Sequence, residues 1–244
     1  MAIKQSIPAF ILFGQWDQNR LDLLGHIQKE LVDLTVSAPI FPKHEKVPFL
    51  NRLIHLSKIR TGKALSPAEV GVLLGHRAIW RKILKMDADP AQHFLVLESD
   101  SKLNNPKILK EKFNLYTPNY DLFFWGAWDG HVRIHRSSIQ FRLQEYVIGT
   151  PLIKSVYCAY GYSLNKKAAA YLLKSTNKIS YPVDIYKKFI QPGALTIGAV
   201  RPELIGAWYN TPSTIQEQSM IVKIKRFLIV QIFDFRNRIH AYFS

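Results

Sequence analysis

Two carboxylates two residues apart, Glu98 and Asp100, follow an apolar segment that predicts a buried strand over residues 94–97. In an open α/β sheet, ligands collect at the carboxyl ends of the strands. If the chain stays extended past Leu97, residues two apart point to the same side, so both carboxylates face one ligand. Carboxylate oxygens suit Mg²⁺ or Mn²⁺, and such a metal can bridge to a diphosphate. A solvated acidic turn after a strand is the alternative interpretation.

Other side chains could take part in chemistry, but each also has a simple structural interpretation. His76 lies among apolar residues of a predicted helix, where a hydrogen-bonded core histidine is the common outcome. Asp129 follows a predicted strand over 120–125 and is a second carboxylate candidate for the same sheet edge. Three basic residues alternate along a possible strand and form either a solvated face or a cationic rim for phosphorylated sugars: His131, Arg133 and His135. Three aromatic residues can stack on sugars or pack in the core: Trp125, Trp128 and Tyr209.

The elements that must position these groups alternate between strands and helices. Strands are predicted over 8–13, 34–41, 94–97, 120–125, 156–164 and 195–201, with a possible edge strand over 132–142. Helices are predicted over 19–31, 67–86, 107–115 and 166–173. The third predicted strand follows a helix that begins with a capping Ser66, Pro67 at the first helical position and Glu69 three residues after the cap. This alternation indicates an α/β sandwich with a mainly parallel central sheet.

Composition sets wider bounds on the class of protein. The chain has 244 residues, of which 48% are hydrophobic, so it can bury a core and is not wholly disordered. Its single cysteine, Cys158, excludes an internal disulfide and a multi-cysteine zinc site. The excess of 33 Lys and Arg over 18 Asp and Glu gives a net charge of +15. Such a charge indicates an anionic partner: nucleic acid, an acidic membrane surface or a phosphorylated substrate.

The end of the chain differs in composition from the rest, which suggests a domain over 1–216 and a basic C-terminal segment over 217–244. Residues 221–244 mix basic and aromatic side chains and contain one acid, Asp234. Such a segment either lies in an anionic membrane interface or forms a terminal helix packed on the domain. Both interpretations stay open at this point.

Four blocks of sequence resemble glycosyltransferase family 25, the lipooligosaccharide biosynthesis and collagen-galactosyltransferase group. In order along the chain, they are LSPAEVGVLLGHRAIW at 65–80, LVLESD at 95–100, AYGYSL at 159–164 with the helix after it, and PVD at 182–184. Two later stretches, at 200–202 and 213–215, resemble the family's closing segment. The resemblance spans about residues 8–216.

The resemblance implies a GT-A-like α/β fold, a nucleotide-sugar donor and a divalent metal, Mn²⁺ or Mg²⁺. It places Glu98 and Asp100 on the metal and diphosphate motif, with Asp100 as the more direct ligand. Asp184 falls on the Pro-Val-Asp position, where a carboxylate can be the general base for the acceptor hydroxyl. Asp129 is the other catalytic candidate. Four residues are assigned to the donor pocket: Arg20, Glu69, His76 and Tyr160.

Several positions depart from the family pattern. Ser99 stands where the family has an acid, Gly75 where it has Ser, and Ala68 where it has Gly. The N-terminal signature is reduced to Phe13-Gly14 and a single Arg20. The missing acid removes a negative charge beside the metal, so we expect weaker metal binding than in a version with three acids.

Together these observations predict a bacterial cytoplasmic glycosyltransferase, peripheral at the inner face of the inner membrane. It is expected to transfer a sugar, galactose above others, from a UDP-sugar to a phosphorylated lipopolysaccharide or lipooligosaccharide acceptor with inversion. Two alternatives stay open. One is a catalytically degenerate family member that acts as a membrane or assembly partner. The other is a basic nucleic-acid-binding protein, although the sequence has no recognised nucleic-acid motif.

Overall fold

The computed structural model describes residues 6–31, 33–127, 130–143, 145–208 and 220–243, and for 141–143 and 220–229 it describes the backbone alone. The helices in these ranges are α1 (Leu21–Glu30), α2 (Leu50–Thr61), α3 (Pro67–Lys85), α4 (Pro106–Tyr116), α5 (Lys166–Ser175) and α6 (Met220–Phe243). The strands are β1 (Ala9–Leu12), β2 (Leu34–Ser37), β3 (Phe94–Glu98), β4 (Ser101–Leu103), β5 (Leu122–Gly126), β6 (Phe141–Leu143), β7 (Tyr146–Gly149), β8 (Gly161–Leu164), β9 (Ile197–Arg201) and β10 (Ile205–Ala207). Short 3₁₀ helices include Gln15–Arg20, Arg136–Ser138, Ile153–Ser155 and Tyr186–Lys188.

A central sheet contains eight of the described strands in the order β2-β1-β3-β8-β5-β9-β7-β6. β1 pairs in parallel with β2 and β3, and β5 pairs in parallel with β9. β8 and β7 run against the other six strands and therefore pair antiparallel with both of their neighbours. Most strands thus share one direction, as the alternation of elements predicted, while the two reversed strands make the sheet mixed. β4 and β10 form a separate antiparallel pair.

The central strands are buried on both faces of the sheet. In β3, Phe94 and Val96 join one apolar cluster, and Leu95 and Leu97 join a second one. α3 and α5 contribute to the first cluster, and α1 and α4 contribute to the second. A strand covered on both faces is apolar at every position, which is why this segment of the sequence predicted a buried strand.

α3 borders the functional site, and it begins with the predicted capping box. Ser66 Oγ accepts a hydrogen bond from the Glu69 backbone N–H, and the Glu69 carboxylate accepts one from the Ser66 N–H. Gly71 allows a close approach, because a Cβ at this position would lie 2.3 Å from the Ile40 carbonyl oxygen. α3 therefore packs directly on the loop that follows β2.

Some local structure differs from the sequence prediction, and proline and backbone conformation explain two of the differences. The strand predicted over 34–41 ends at Ser37, ahead of Pro39, which has no N–H for a strand ladder. The strand predicted over 156–164 is regular only in β8, and Cys158 before it has a left-handed φ of 69°. A single helix was predicted over 19–31, but the chain forms the 3₁₀ helix Gln15–Arg20 and then α1.

The prediction of a possible edge strand over 132–142 is also wrong for most of that segment. That segment contains the 3₁₀ helix Arg136–Ser138, the short β6 and an isolated bridge between Ile134 and Pro151. Arg133, expected on a solvated face or a cationic rim, is only 3% exposed and pairs with the Asp234 carboxylate. Arg133 therefore lies in a buried ion pair instead of on a solvated face.

Asp234 belongs to α6, so the same ion pair fastens the C-terminal helix to the body of the protein. Arg238 Nε also donates to Asp234 Oδ2 over 2.8 Å. α6 contacts the 3₁₀ helices Arg136–Ser138 and Ile153–Ser155. The described part of this helix is thus packed on the domain. Within the described ranges, every helix is too short or too polar to cross a bilayer.

Candidate active site

A cleft of about 320 Å³ opens at the carboxyl ends of β1 and β3. The turn after β3 lines it with Glu98, Ser99 and Asp100. The 3₁₀ helix Gln15–Arg20, the loop 39–44 and the first turns of α3 supply the remaining walls. Both carboxylates of the acid motif therefore face one concave site, at the sheet edge where ligands bind in open α/β folds.

Ser99 joins the acid motif to the 3₁₀ helix. Its hydroxyl donates to Asp17 Oδ1 over 2.9 Å and accepts a hydrogen bond from Arg20 Nη1. Asp17 is buried, and its Oδ2 accepts from the Gly14 backbone N–H over 3.0 Å. Arg20 Nη1 lies 3.7 Å from Asp17 Oδ1 as well. Asp17 therefore brings a third carboxylate to the cleft, directly beside the position where the family pattern has an acid and this chain has Ser99.

Asp100 is a carboxylate whose charge is poorly stabilised by the protein alone. Its Oδ1 is buried and has no hydrogen-bond partner among the described residues. Burial, followed by repulsion from Glu98, raises the pKa of Asp100 to about 6, although Arg20 lowers it. A bound divalent cation would offset both causes, because it attracts the carboxylates and replaces the lost hydration.

The donor set tests which kind of metal site these residues suit. In the part of the chain that the structure describes, no group of three or more His, Cys, Asp or Glu side chains surrounds a common metal position. Glu98 and Asp100 provide carboxylate oxygens, and phosphate oxygens and water would have to fill the other positions. Mg²⁺ is usually bound in this way, by one or two carboxylates and the phosphates of a substrate. The residues present therefore fit a metal that binds together with a diphosphate.

A buried chain of polar side chains holds Glu98. Its Oε1 lies 3.0 Å from His76 Nε2. His76 Nδ1 lies 2.9 Å from the Tyr162 hydroxyl, which also accepts from Trp80 Nε1 over 2.8 Å. Trp80 can only donate, so the tyrosine donates to Nδ1, and Nε2–H then donates to Glu98. This assignment gives an acceptor to every donor in the series from Trp80 to Glu98. His76 therefore orients Glu98 from inside the core.

Burial supports that assignment. His76, Trp80 and Tyr162 have no exposed surface. Because burial disfavours the phenolate, it raises the pKa of Tyr162 far above its ordinary value, so the hydroxyl keeps its proton at neutral pH.

Packing explains Gly75, which stands where the family has Ser. A Cβ at this position would lie 3.2 Å from the Leu12 side chain.

Aromatic and cationic groups also line the cleft. The Trp16 and His44 rings stack with centroids 3.7 Å apart and planes inclined by 17°. Phe41 and Lys43 lie in the same wall. Flat aromatic faces can stack on a nucleobase, and cationic side chains pair with phosphates.

These residues of the wall, and Asp17, were missed by the sequence reasoning. The Lys, His and Pro content of residues 42–48 was the available signal for a binding wall. The Asp17–Ser99 hydrogen bond joins positions 82 residues apart, which no local pattern reveals.

Four of the predicted site residues come together in or next to the cleft: Arg20, His76, Glu98 and Asp100. Two others do not line it. Glu69 is used in the capping box of α3, where its Oε2 accepts from the Ser66 N–H over 2.6 Å. Tyr160 is buried, and its hydroxyl donates to Glu203 Oε2 over 3.0 Å. In the structure both residues hydrogen-bond to other parts of the protein, and neither lines the cleft.

The two catalytic candidates and the aromatic candidates complete the set. Asp184 is half-buried before the 3₁₀ helix Tyr186–Lys188 and does not line the cleft. Burial first, and then several charges that include Glu98 and Asp184, raise the pKa of Tyr186 well above its ordinary value. Trp125 is a core residue whose Nε1 donates to Ser163 Oγ. The other candidates lie outside the described residues: Trp128, Asp129 and Tyr209.

The fold and the cleft define an α/β protein with an acidic cleft at the carboxyl edge of its central sheet. The model of Glycosyltransferase family 25 (LPS biosynthesis protein) matches residues 24–187. The match covers well over half of the chain, so this protein belongs to glycosyltransferase family 25, as the resemblance predicted. It includes Glu98, Asp100 and Asp184, but Asp17 and Arg20 precede it. No curated protein matches the chain.

Proposed function

We propose that this member of the family takes a sugar from a UDP-sugar and transfers it to a lipopolysaccharide or lipooligosaccharide saccharide, with galactose as the expected sugar. One observation carries the proposal. Glu98 and Asp100 line a single cleft, and the buried Asp100 Oδ1 has no hydrogen-bond partner among the residues that the structure describes. A donor with a metal-bound diphosphate satisfies that oxygen, and a nucleotide-sugar is such a donor.

The proposed donor contacts follow from the cleft walls. Arg20 Nε is buried with no hydrogen-bond partner in the described structure, so it is available to a phosphate oxygen. Lys43 adds a second cation to the same cleft, and Trp16 offers an aromatic face to the uracil ring. Glu98 and Asp100 would hold Mn²⁺ or Mg²⁺, which when bound neutralises the charge of the departing diphosphate.

The reaction we propose is a single displacement with inversion. The oxygen of an acceptor hydroxyl bonds to the anomeric carbon, and the bond from that carbon to the diphosphate oxygen breaks, with its electron pair leaving on UDP. A carboxylate takes the hydroxyl proton as general base. Asp184 and Asp129 are the two candidates for this role.

We also propose that the protein works on the inner face of the bacterial inner membrane and rests there on α6. One face of the helix carries apolar side chains at a spacing of three or four residues, and all are exposed: Ile232, Phe235, Ile239, Tyr242 and Phe243. The opposite face is buried against the body: Asp234, Asn237 and Ala241. An amphipathic helix with an exposed apolar face of this kind can enter the headgroup region of a bilayer.

The positive charge near this face supports an anionic bilayer as its partner. Arg236 and Arg238 belong to the same stretch of α6, and the whole chain carries a net charge of +15. Other cationic groups lie near Arg238 of this helix. The pKa of Arg201 is lowered first by burial and then by the positive charges of Arg133 and Arg238. Basic residues near the surface each contribute about 1 kcal/mol to binding of anionic lipid.

Co-sedimentation with vesicles tests the membrane proposal. The protein should bind phosphatidylglycerol-containing vesicles and leave neutral phosphatidylcholine vesicles largely unbound. A Phe235→Ser, Ile239→Ser variant should weaken binding by about tenfold or more. Phe49→Ser is the matched control, because Phe49 is exposed but lies at the start of α2. Equal binding to both vesicles, or equal loss in the control, would overturn the proposal.

A transfer assay tests the enzymatic proposal. The protein, Mn²⁺, a UDP-sugar and a truncated lipooligosaccharide are incubated, and mass spectrometry measures addition of one sugar. UDP-galactose should give the largest yield. Asp100→Asn should abolish transfer, and Asp87→Asn, at an exposed aspartate, should retain it. Absence of transfer from every UDP-sugar to every lipooligosaccharide would contradict the proposed activity.

A further inference from the structure

A second cleft, of about 480 Å³, lies beside the first one. α1, β4 and Trp208 line it. The two clefts share the turn between β3 and β4: Asp100 lines the first, and Ser101 and Lys102 line the second. They share the 3₁₀ helix in the same way, because Arg20 lines the first and Asn19 the second. Residues that directly follow the acid motif in the chain therefore line the second cleft.

Backbone hydrogen bonds fix the second cleft to that motif. The Trp208 N–H donates to the Asp100 carbonyl oxygen over 2.8 Å. One residue earlier, Ala207 pairs with Ser101 in the antiparallel ladder of β10 and β4. The Trp208 ring is therefore attached to the same turn that carries Asp100, so the second cleft and the acid motif keep a constant relation.

The lining of the second cleft has the chemistry of a saccharide site. Trp208 is half-buried and presents an aromatic ring, and Lys102 Nζ lies over it at 5.2 Å from the centroid. Asn19, Asp22 and His26 are exposed polar side chains in the same lining. A sugar ring can place its apolar face on the indole, while amide, carboxylate and imidazole groups bind its hydroxyls.

The charge in the second cleft also separates it from a diphosphate site. Lys29 and Lys102 are balanced by Asp22 and Glu30, and Glu30 forms an ion pair with Lys110 at 2.6 Å. Mixed signs suit a ligand rich in hydroxyls with few phosphates. The first cleft instead contains the acid motif and Arg20, whose Nε has no hydrogen-bond partner among the described residues. These groups favour a nucleotide diphosphate in the first cleft and leave the second cleft for a saccharide.

We propose that this second cleft is the subsite for the acceptor saccharide, with Trp208 as its stacking platform and Asp22 and His26 as hydroxyl-binding residues. The inference rests on the proposed glycosyltransferase function and adds the place where the acceptor binds. The β3–β4 turn borders both clefts, so an acceptor in the second cleft would extend past this turn towards the donor. Among the described residues the two clefts share no lining residue, so we expect UDP in the first cleft to leave the acceptor in place.

Saturation-transfer NMR tests this subsite apart from catalysis. It measures binding of a deacylated lipooligosaccharide core oligosaccharide to the protein. The wild-type protein should bind the oligosaccharide, and saturating UDP with Mn²⁺ should not displace it. Trp208→Ala should weaken binding by about tenfold or more. His26→Ala and Asp22→Asn, both at exposed positions of α1, should also weaken it without loss of folding.

Gln28→Ala is the matched control, because Gln28 is exposed on α1 but does not line the cleft. Each of these proteins is titrated with UDP and Mn²⁺ in parallel. Displacement of the oligosaccharide by UDP, or unchanged binding in the Trp208, His26 and Asp22 variants, would overturn the subsite. Binding of UDP with no oligosaccharide binding would also overturn it and leave the donor proposal standing. Binding of neither ligand would contradict the subsite and the proposed function together.

Discussion

The Ser99 hydroxyl donates a hydrogen bond to Asp17 Oδ1 over 2.9 Å, between positions 82 residues apart. The family pattern has an acid at position 99, and its replacement by serine suggested weak metal binding or a degenerate protein. The contact changes that argument, because Asp17 brings a carboxylate to the same place from the 3₁₀ helix. Arg20 binds the Ser99 hydroxyl as well, so the serine connects an acid and a base at the cleft.

An exchange of charge between these two positions tests this compensation. Asp17→Asn should lower the affinity for Mn²⁺ in the presence of UDP. Ser99→Asp should lower the melting temperature, because it places two buried carboxylates side by side. The double variant should recover most of both losses. Each single effect should be about 1–3 kcal/mol, as for a buried hydrogen bond to a charged group. Calorimetric titration and thermal unfolding measure these terms, and simple additivity of the two changes would contradict the compensation.

The chain from Trp80 through Tyr162 and His76 to Glu98 predicts a positioning effect. Tyr162→Phe removes the hydroxyl that accepts from Trp80 and donates to His76, and it leaves a buried indole N–H unpaired. The free energy of unfolding should fall by about 1–3 kcal/mol. Affinity for Mn²⁺ with UDP should fall too, because Glu98 loses its fixed orientation.

Tyr186→Phe is the matched control for that variant. Tyr186 is as buried as Tyr162, their ring centroids are 6.1 Å apart, and the Tyr186 hydroxyl has no hydrogen-bond partner in the described structure. Its removal should therefore cost little stability. Denaturant unfolding and calorimetry on both variants decide the matter: equal effects of the two substitutions would exclude a role for the hydrogen-bonded chain.

Glu69 provides a test of capping against donor binding. In the structure its carboxylate completes the capping box of α3. Glu69→Ala should destabilise the protein by about 1 kcal/mol, and Glu69→Gln, which keeps an acceptor oxygen, should cost less. UDP affinity should be unchanged in both variants. A loss of UDP affinity with normal stability would return Glu69 to the donor pocket.

We expect the carboxyl group of Asp121 to contribute to the pH dependence of the free energy of unfolding. Burial alone would raise the pKa of this carboxyl, but hydrogen bonds from Lys167, Thr196 and Asn165 lower it overall. The folded protein therefore binds this proton less readily than the unfolded chain. The contribution to stability is present above the unfolded pKa of about 3.9 and is lost as the pH falls through the lower folded pKa.

Asp121→Asn should thus be less stable than wild type at neutral pH, and the difference should shrink in strong acid. Urea unfolding at neutral and acid pH measures it. Asp87→Asn, at an exposed aspartate, is the control and should follow the wild-type curve. A stability difference for Asp121→Asn that is independent of pH would show that the carboxylate charge is not the cause.

Local patterns in the sequence were sufficient for the centre of the site. The apolar run before Glu98 predicted β3, and the capping box predicted the start of α3, because both signals depend on neighbouring residues. The position of the acid motif at a sheet edge followed from these two elements. The sequence left two interpretations of His76, as a core histidine or as a site residue. The structure shows a buried histidine that is hydrogen-bonded to Glu98.

Contacts between distant segments account for what the sequence did not reveal. Asp17 reaches Ser99, and Tyr162 reaches His76, only because β1, β3 and β8 are neighbours in the sheet. The reversed direction of β8 leaves no mark in its apolar composition, since a strand buried on both faces looks alike in either direction. Arg133 was expected near solvent, because its buried partner Asp234 is 101 residues away.

The central claim is that Glu98 and Asp100 form a metal-dependent site for the diphosphate of a UDP-sugar. The most direct measurement is a thermal-shift titration with UDP, with and without Mn²⁺, on wild type and Asp100→Ala. A ligand that binds only the folded state adds about 2.7 kcal/mol of stability at a hundredfold excess over its Kd. The account predicts a rise in melting temperature that needs Mn²⁺ and disappears in the variant. A folded protein that shows no shift with UDP, or the same shift in Asp100→Ala, would contradict it.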